Sequence, residues 1–189
     1  VPADIAFSPD GRLLYAAMQY ERDPCGDYAD SGVHVFDMTT LERVDIWPAQ
    51  PPFYVAGEVA TLPDGTVAIA DFRRIFFWRD GELINTITDD EDAWRFVRDL
   101  TASDTENYVA GYVANDTLII WDSNGTQIAQ YVDLDNSFWG DDIAFVGDVL
   151  IYNGGAGAVV LRTLPDGKVM QTINVDDAIN HIAAALIDG

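Results

Sequence analysis

The chain has 189 residues, 49% of them hydrophobic, with ten Lys and Arg against 32 Asp and Glu, a formal charge of −22. That length and apolar content suit one core-bearing domain or a repeat array rather than a disordered chain. The charge disfavours nucleic acid and anionic membrane surfaces as partners, because both are polyanions.

In chain order, short runs rich in Val, Ile, Tyr, Phe and Trp alternate with Gly, Pro, Asp and Asn, the pattern of strands and turns. The first set is predicted at Ile5–Phe7, Leu13–Ala17, Val33–Asp37 and Arg43–Trp47. The second falls at Val59–Thr61, Val67–Ala70, Ile75–Trp78 and Leu83–Thr86, the third at Leu100–Ala102, Tyr108–Val113, Leu118–Asp122 and Gln127–Tyr131. The fourth falls at Ile143–Val146, Leu150–Tyr152, Val159–Arg162 and Val169–Ile173. A fifth inner strand is expected at 182–186, in register with the others despite a helical composition over 176–186. Pro9-Asp10-Gly11, Pro63-Asp64-Gly65 and Pro165-Asp166-Gly167 each supply a fixed φ, a side chain that caps its own backbone, and a positive φ.

These sets repeat. DIAFSPDG (4–11) returns as EVATLPDG (58–65), DLTASDT (99–105), DIAFVGD (142–148) and HIAAALIDG (181–189). The turn Asp falls at Asp10, Asp64, Asp104, Asp148 and Asp188, in steps of 54, 40, 44 and 40 residues. A period of roughly 40–45 built of short strands predicts propeller blades. The fold class expected is therefore an all-β propeller in a single domain over 1–189. Its blades lie near 3–50, 53–92, 93–137 and 138–180, with an inner strand at 181–189. Five inner strands against four complete sets leave the last without a blade. The chain is thus expected to be a segment of a larger six- to eight-blade propeller, and its start at Val1 agrees with a piece of a longer protein or a removed leader.

IIWDSNGTQIAQY (119–131) and FFWRDGELINTI (76–87) resemble the third-to-fourth strand hairpin of WD-repeat propellers, with Trp121-Asp122 in place of the WD dipeptide. No blade has the Gly-His of that family. IAFSPDGRLLYAA (5–17) with VHVFDMTTLERV (33–44) resembles the YVTN-type propellers of surface and periplasmic proteins. The resemblance covers nearly the whole chain. It implies a binding or scaffold module that works with a protein partner in a larger assembly, in an extracytoplasmic setting, periplasmic or secreted.

The first residues of the inner strands are Asp4, Glu58, Asp99, Asp142 and His181. In a propeller such positions ring one mouth of the central channel. Four carboxylates there suit a hard divalent cation such as calcium, with His181 beside the ligands because nitrogen serves calcium poorly. The other use of an acid at this place is to cap the turn into the strand and bond a neighbouring blade. Gluconolactonase-type propellers hold a metal in this channel, and IAFSPDG is similar to their NGIAFSPDG. Their ligand column, however, holds Ala3, Gly57, Arg98, Asp141 and Asn180 in this chain, so the match is partial. It implies, as the alternative function, a lactonase-like hydrolase using a channel-bound cation.

The insertion QYERDPCGDYADSG (19–32) makes Tyr20, Arg22, Cys25 and Tyr28 the expected partner contacts, because insertions on a propeller face are where partners dock. A short similarity to the propeller subunit of quinone-dependent amine dehydrogenases implies a third function, support of a separate redox chain. Cys25 is the only cysteine and can form no internal disulfide. No G-x-S-x-G, H-E-x-x-H or P-loop occurs, and His34 is expected on a strand surface. The 26 Asp and six Glu against nine Arg and one Lys resemble the surfaces of salt-loving or marine organisms, or the product of a GC-rich genome.

Overall fold

The computed structural model describes residues 2–18, 32–48, 57–71, 74–88, 97–113, 117–131, 142–154, 157–175 and 182. These form four antiparallel four-stranded sheets, each a meander in which consecutive strands pair. The first blade is β1 (Pro2–Phe7), β2 (Leu13–Met18), β3 (Gly32–Asp37) and β4 (Glu42–Pro48). The second is β5 (Glu58–Thr61), β6 (Val67–Ala70), β7 (Arg74–Arg79) and β8 (Glu82–Thr88). The third is β9 (Val97–Ala102), β10 (Tyr108–Val113), β11 (Thr117–Asp122) and β12 (Gln127–Tyr131). The fourth is β13 (Ile143–Val146), β14 (Val149–Asn153), β15 (Ala158–Thr163) and β16 (Val169–Asn174).

All sixteen strands of the four expected sets are present, some longer by one to three residues at an end. The turns follow their chemistry too. Asp10 accepts the N–H of Arg12 at 3.0 Å, Asp64 that of Thr66 at 3.0 Å and Asp166 that of Lys168 at 3.2 Å. The glycine of each turn has positive φ, 71° at Gly11, 83° at Gly65 and 69° at Gly167, where a Cβ would be strained.

The core is three seams between blades. Tyr15, Val33, Val35 and Trp47 of the first blade meet Val59, Ile69, Phe76 and Trp78 of the second. Ala68, Ile75 and Phe77 meet Leu100, Val109, Ile119 and Trp121. Ala110, Tyr112, Leu118 and Ile120 meet Ile143, Phe145, Leu150 and Tyr152. The alternation of strand residues sends one face of each sheet to the blade before it and the other to the blade after. The inner strands β1, β5, β9 and β13 lie side by side in that order. Trp47 and Trp78 stack across the first seam, 5.4 Å apart with planes 7° from parallel. At the third seam the Arg162 guanidinium lies 4.1 Å over the Tyr131 ring and donates to the Tyr152 hydroxyl at 3.0 Å.

One irregularity recurs in all four blades. Where the third strand pairs with the fourth, the register slips by one residue, at Val35/Phe36, Phe77/Trp78, Ile120/Trp121 and Leu161/Arg162. The outer strand thus carries a β-bulge, an extra residue that the partner strand does not pair. That residue is Val44, Ile84, Ile128 or Met170 in turn.

His34 departs from its expected place on a strand surface. It is buried in β3, with the Arg43 guanidinium 3.5 Å from its Nδ1. The insertion residues Tyr20, Arg22, Cys25 and Tyr28, together with His181 and 183–186 of the fifth inner strand, lie outside the described residues.

Candidate functional site: the channel-mouth carboxylates

Asp4, Glu58, Asp99 and Asp142 stand at equivalent points, each at or just before the start of an inner strand, or within a bulged one. A cavity of about 280 Å³ opens there, lined by Asp4, Glu58 and Asp99 with Thr61, Leu100 and Thr101. The charges of Asp4, Asp99 and Asp142 all act on Glu58, and three of the four carboxyl groups have a defined task. Asp4 Oδ2 accepts the backbone N–H of Val59 at 2.8 Å, and Asp99 Oδ2 that of Ile143 at 2.7 Å. Asp142 Oδ2 accepts the N–H of Ile182. In each case the donor is the residue directly after the next blade's channel-mouth position. The second oxygen turns back on its own strand, Asp4 Oδ1 to Ile5 N–H and Asp99 Oδ1 to Leu100 N–H, both at 2.8 Å.

Ile182 therefore occupies, relative to Asp142, the place that Val59 occupies relative to Asp4. That is where the repeat puts the second residue of a fifth inner strand.

Crowding like charges out of water has an electrostatic consequence. Burial first, and then the charges of Asp4 and Asp99, push the Glu58 carboxyl up to about 8. Burial likewise raises Asp99 to about 7, helped by the Asp142 charge and opposed by the Ile143 N–H. At neutral pH Glu58 holds its proton and can donate it to Asp4. Among the described residues no group of three or more His, Cys, Asp and Glu side chains is placed to hold a metal ion. The arrangement ties blades together.

Sequence reasoning places these four residues together and names interblade bonding as one of their uses. It misses the bulge residues. Val44, Ile84, Ile128 and Met170 are exposed and apolar in every blade. The signal was present as RVDIW, LINTI, IAQY and MQTI, outer strands whose apolar residues exceed what strict alternation can bury.

No family model matches the chain, and no curated protein matches it. Solved structures do. The structure of U3-55K superposes with a TM-score of 0.71 at 14% identity, over 92% of this chain and 51% of that one. The RRP9 WD40 repeats give 0.70 at 12%, over 92% and 51%. The fold is that of a WD-repeat-like β-propeller. The Cps50 (Swd1) β-propeller domain of Myceliophteria thermophila gives 0.69 at 12%, over 94% and 56%. The chain spans about half the length of the solved structures it matches. Among the described residues no helix is long and apolar enough to cross a membrane.

Proposed function

We propose that the chain is a non-catalytic propeller module that binds protein and serves as a scaffold within a larger assembly. The observation that carries this reading is the repeated bulge. Val44, Ile84, Ile128 and Met170 take the same place on the outer strands of four successive blades, and all four are apolar and exposed. A single exposed apolar side chain is ordinary, but the same one in every blade makes a row along the rim. A bulge also aims a side chain away from the sheet and blunts the outer strand against uncontrolled pairing. The row then offers separated apolar anchors on an otherwise acidic surface, which suits a partner with apolar knobs set among basic residues.

The use of the channel carboxylates supports the same reading. Oxygens of Asp4, Asp99 and Asp142 are engaged by the neighbouring blade. A general base needs an oxygen free to reach a substrate proton. The likeness to WD-repeat propellers is consistent with a protein-interaction role.

The test is affinity capture with the tagged chain, followed by isolation of a stoichiometric complex. The Ile84→Asp, Ile128→Asp double variant should lose the captured protein and keep its β-sheet circular dichroism. Capture equal to that of the variant would reject the rim as the binding surface. Lactone hydrolysis by the chain, abolished by Glu58→Gln, would replace the scaffold reading with the enzyme reading.

A further inference from the structure

The rim anchors share a place but not a chemistry. Val44, Ile84 and Ile128 are β-branched hydrocarbons, whereas the fourth blade carries Met170, a thioether. Met170 is the residue of β16 left over between Val169, which pairs with Arg162, and Gln171, which pairs with Leu161. It is 57% exposed. That exposure belongs to the bulge and not to the fourth blade's place in the row. Ile84 and Ile128 lie in blades packed on both sides, and they are still 41% and 38% exposed. The other two methionines, Met18 and Met38, are half-buried. On the same strand as Met170, Val169 and Ile173 are also exposed, and β16 has no charged side chain. The anchor of the fourth blade therefore offers apolar contact alone, through a sulfur that small oxidants in water can reach.

We infer that Met170 is a site of reversible oxidation, by hydrogen peroxide or a related two-electron oxidant, that weakens the rim's hold on its partner. The inference rests on the scaffold reading, since it names how that same row of anchors is regulated. In the step itself the sulfur lone pair attacks one peroxide oxygen. The S–O bond forms, the O–O bond breaks, and the second oxygen leaves as water. The thioether is oxidised to a sulfoxide and the peroxide is reduced. A methionine sulfoxide reductase removes the oxygen as water while a pair of its thiols becomes a disulfide. The sulfoxide places a strong acceptor where an apolar knob of the partner would cover it, and a covered acceptor without a donor opposes binding. The hydrocarbon anchors Val44, Ile84 and Ile128 have no such chemistry, so the change is confined to the fourth blade.

Peptide mass spectrometry after brief treatment of the folded chain with hydrogen peroxide reads the chemistry. Met170 should gain oxygen about fivefold faster than Met18 and Met38, because susceptibility follows exposure, and all three should react alike in urea. Equal native rates overturn the inference. Retention on a phenyl matrix reads the consequence, after dithiothreitol has reversed the oxidation of Cys25. The oxidised chain should elute earlier, and a reductase should restore its retention. Met170→Ile, which carries the residue of the second and third blades, should elute alike before and after peroxide. Met170→Gln should elute early with no oxidant. Unchanged retention with Met170 oxidised, or an equal loss in Met170→Ile, overturns the inference.

The purified complex separates this result from the scaffold reading. Its affinity should fall about tenfold on oxidation of the parent, the effect of losing one buried apolar side chain, and stay constant in Met170→Ile. A complex that keeps its affinity with Met170 oxidised overturns the inference and leaves the scaffold reading standing. Capture by the unoxidised chain that ignores the Ile84→Asp, Ile128→Asp double variant overturns both.

Discussion

The Asp99 carboxylate accepts the backbone N–H of Ile143 at 2.7 Å, joining residues 44 apart in sequence across the seam between the third and fourth blades. The same carboxylate satisfies Leu100 N–H at 2.8 Å, so one side chain serves the inner strands of two blades. Alanine at this place leaves two partly buried donors without their acceptor. Each such loss costs about 1–3 kcal/mol, and water entering from the open cavity beside Asp99 offsets part of it. Asp99→Ala is therefore expected to lower stability by about 1–3 kcal/mol at pH 6, read from the urea midpoint. An unchanged midpoint would mean that the interblade bond contributes nothing net.

Glu58 differs from its three counterparts. Among the described residues no backbone N–H donates to it, and its carboxyl is pushed up to about 8, by burial first and then by Asp4 and Asp99. In the unfolded chain it titrates near 4.5. Between these values the folded state holds the extra proton, so stability is fully present below about 4.5 and falls as pH rises through about 8. Glutamine copies the protonated acid in shape and in its ability to donate. Glu58→Gln should match the parent in melting temperature near pH 5 and exceed it near pH 9. Parallel melting curves across that range would show that Glu58 titrates normally.

Most of the architecture was legible from residues alone, because propeller strands advertise themselves. PDG turns need Gly at positive φ, strand runs are short and apolar, and the inner-strand phrase recurs. The strands of all four blades were readable on those grounds. The channel mouth was legible as a column of acids, but the partner of each acid was not. A bond such as Asp4 to Val59 depends on how far neighbouring blades are offset, which no local pattern encodes. The rim was not legible either. A bulge moves one residue out of the period-two alternation, so Ile84 and Ile128 read as ordinary strand residues. The buried place of His34 was missed because a polar residue within Val-His-Val suggests an outward face, whereas β3 is covered on both sides there.

Gly111 on β10 provides a packing test. A Cβ there would lie 2.9 Å from Trp121 Cζ3 and 3.4 Å from Leu100 Cδ1. Trp121 is fully enclosed at the second seam and has no room to withdraw. Gly111→Ala should therefore destabilise by about 1–3 kcal/mol through overpacking, with a change in tryptophan fluorescence as the indole shifts. Equal stability with unchanged fluorescence would show that the seam has slack which the packing does not suggest.

The charge makes the last prediction. A net −22 spread over 189 residues raises the free energy of the compact state by self-repulsion, and the unfolded chain escapes much of it by expanding. Mobile ions shorten the reach of that repulsion from about 8 Å at physiological ionic strength to about 3 Å at 1 M. The local pairs that favour the fold, such as Arg79 with Asp64 at 2.7 Å and Arg74 with Asp71 at 2.6 Å, are shorter than either distance and lose less. The balance therefore shifts toward the folded state as salt rises. The melting temperature should climb between about one and ten times physiological salt, with sodium chloride and potassium chloride giving similar gains if screening is the cause. A flat or falling melting temperature would remove self-repulsion as a factor and leave the Asp-rich composition to be explained by genome composition.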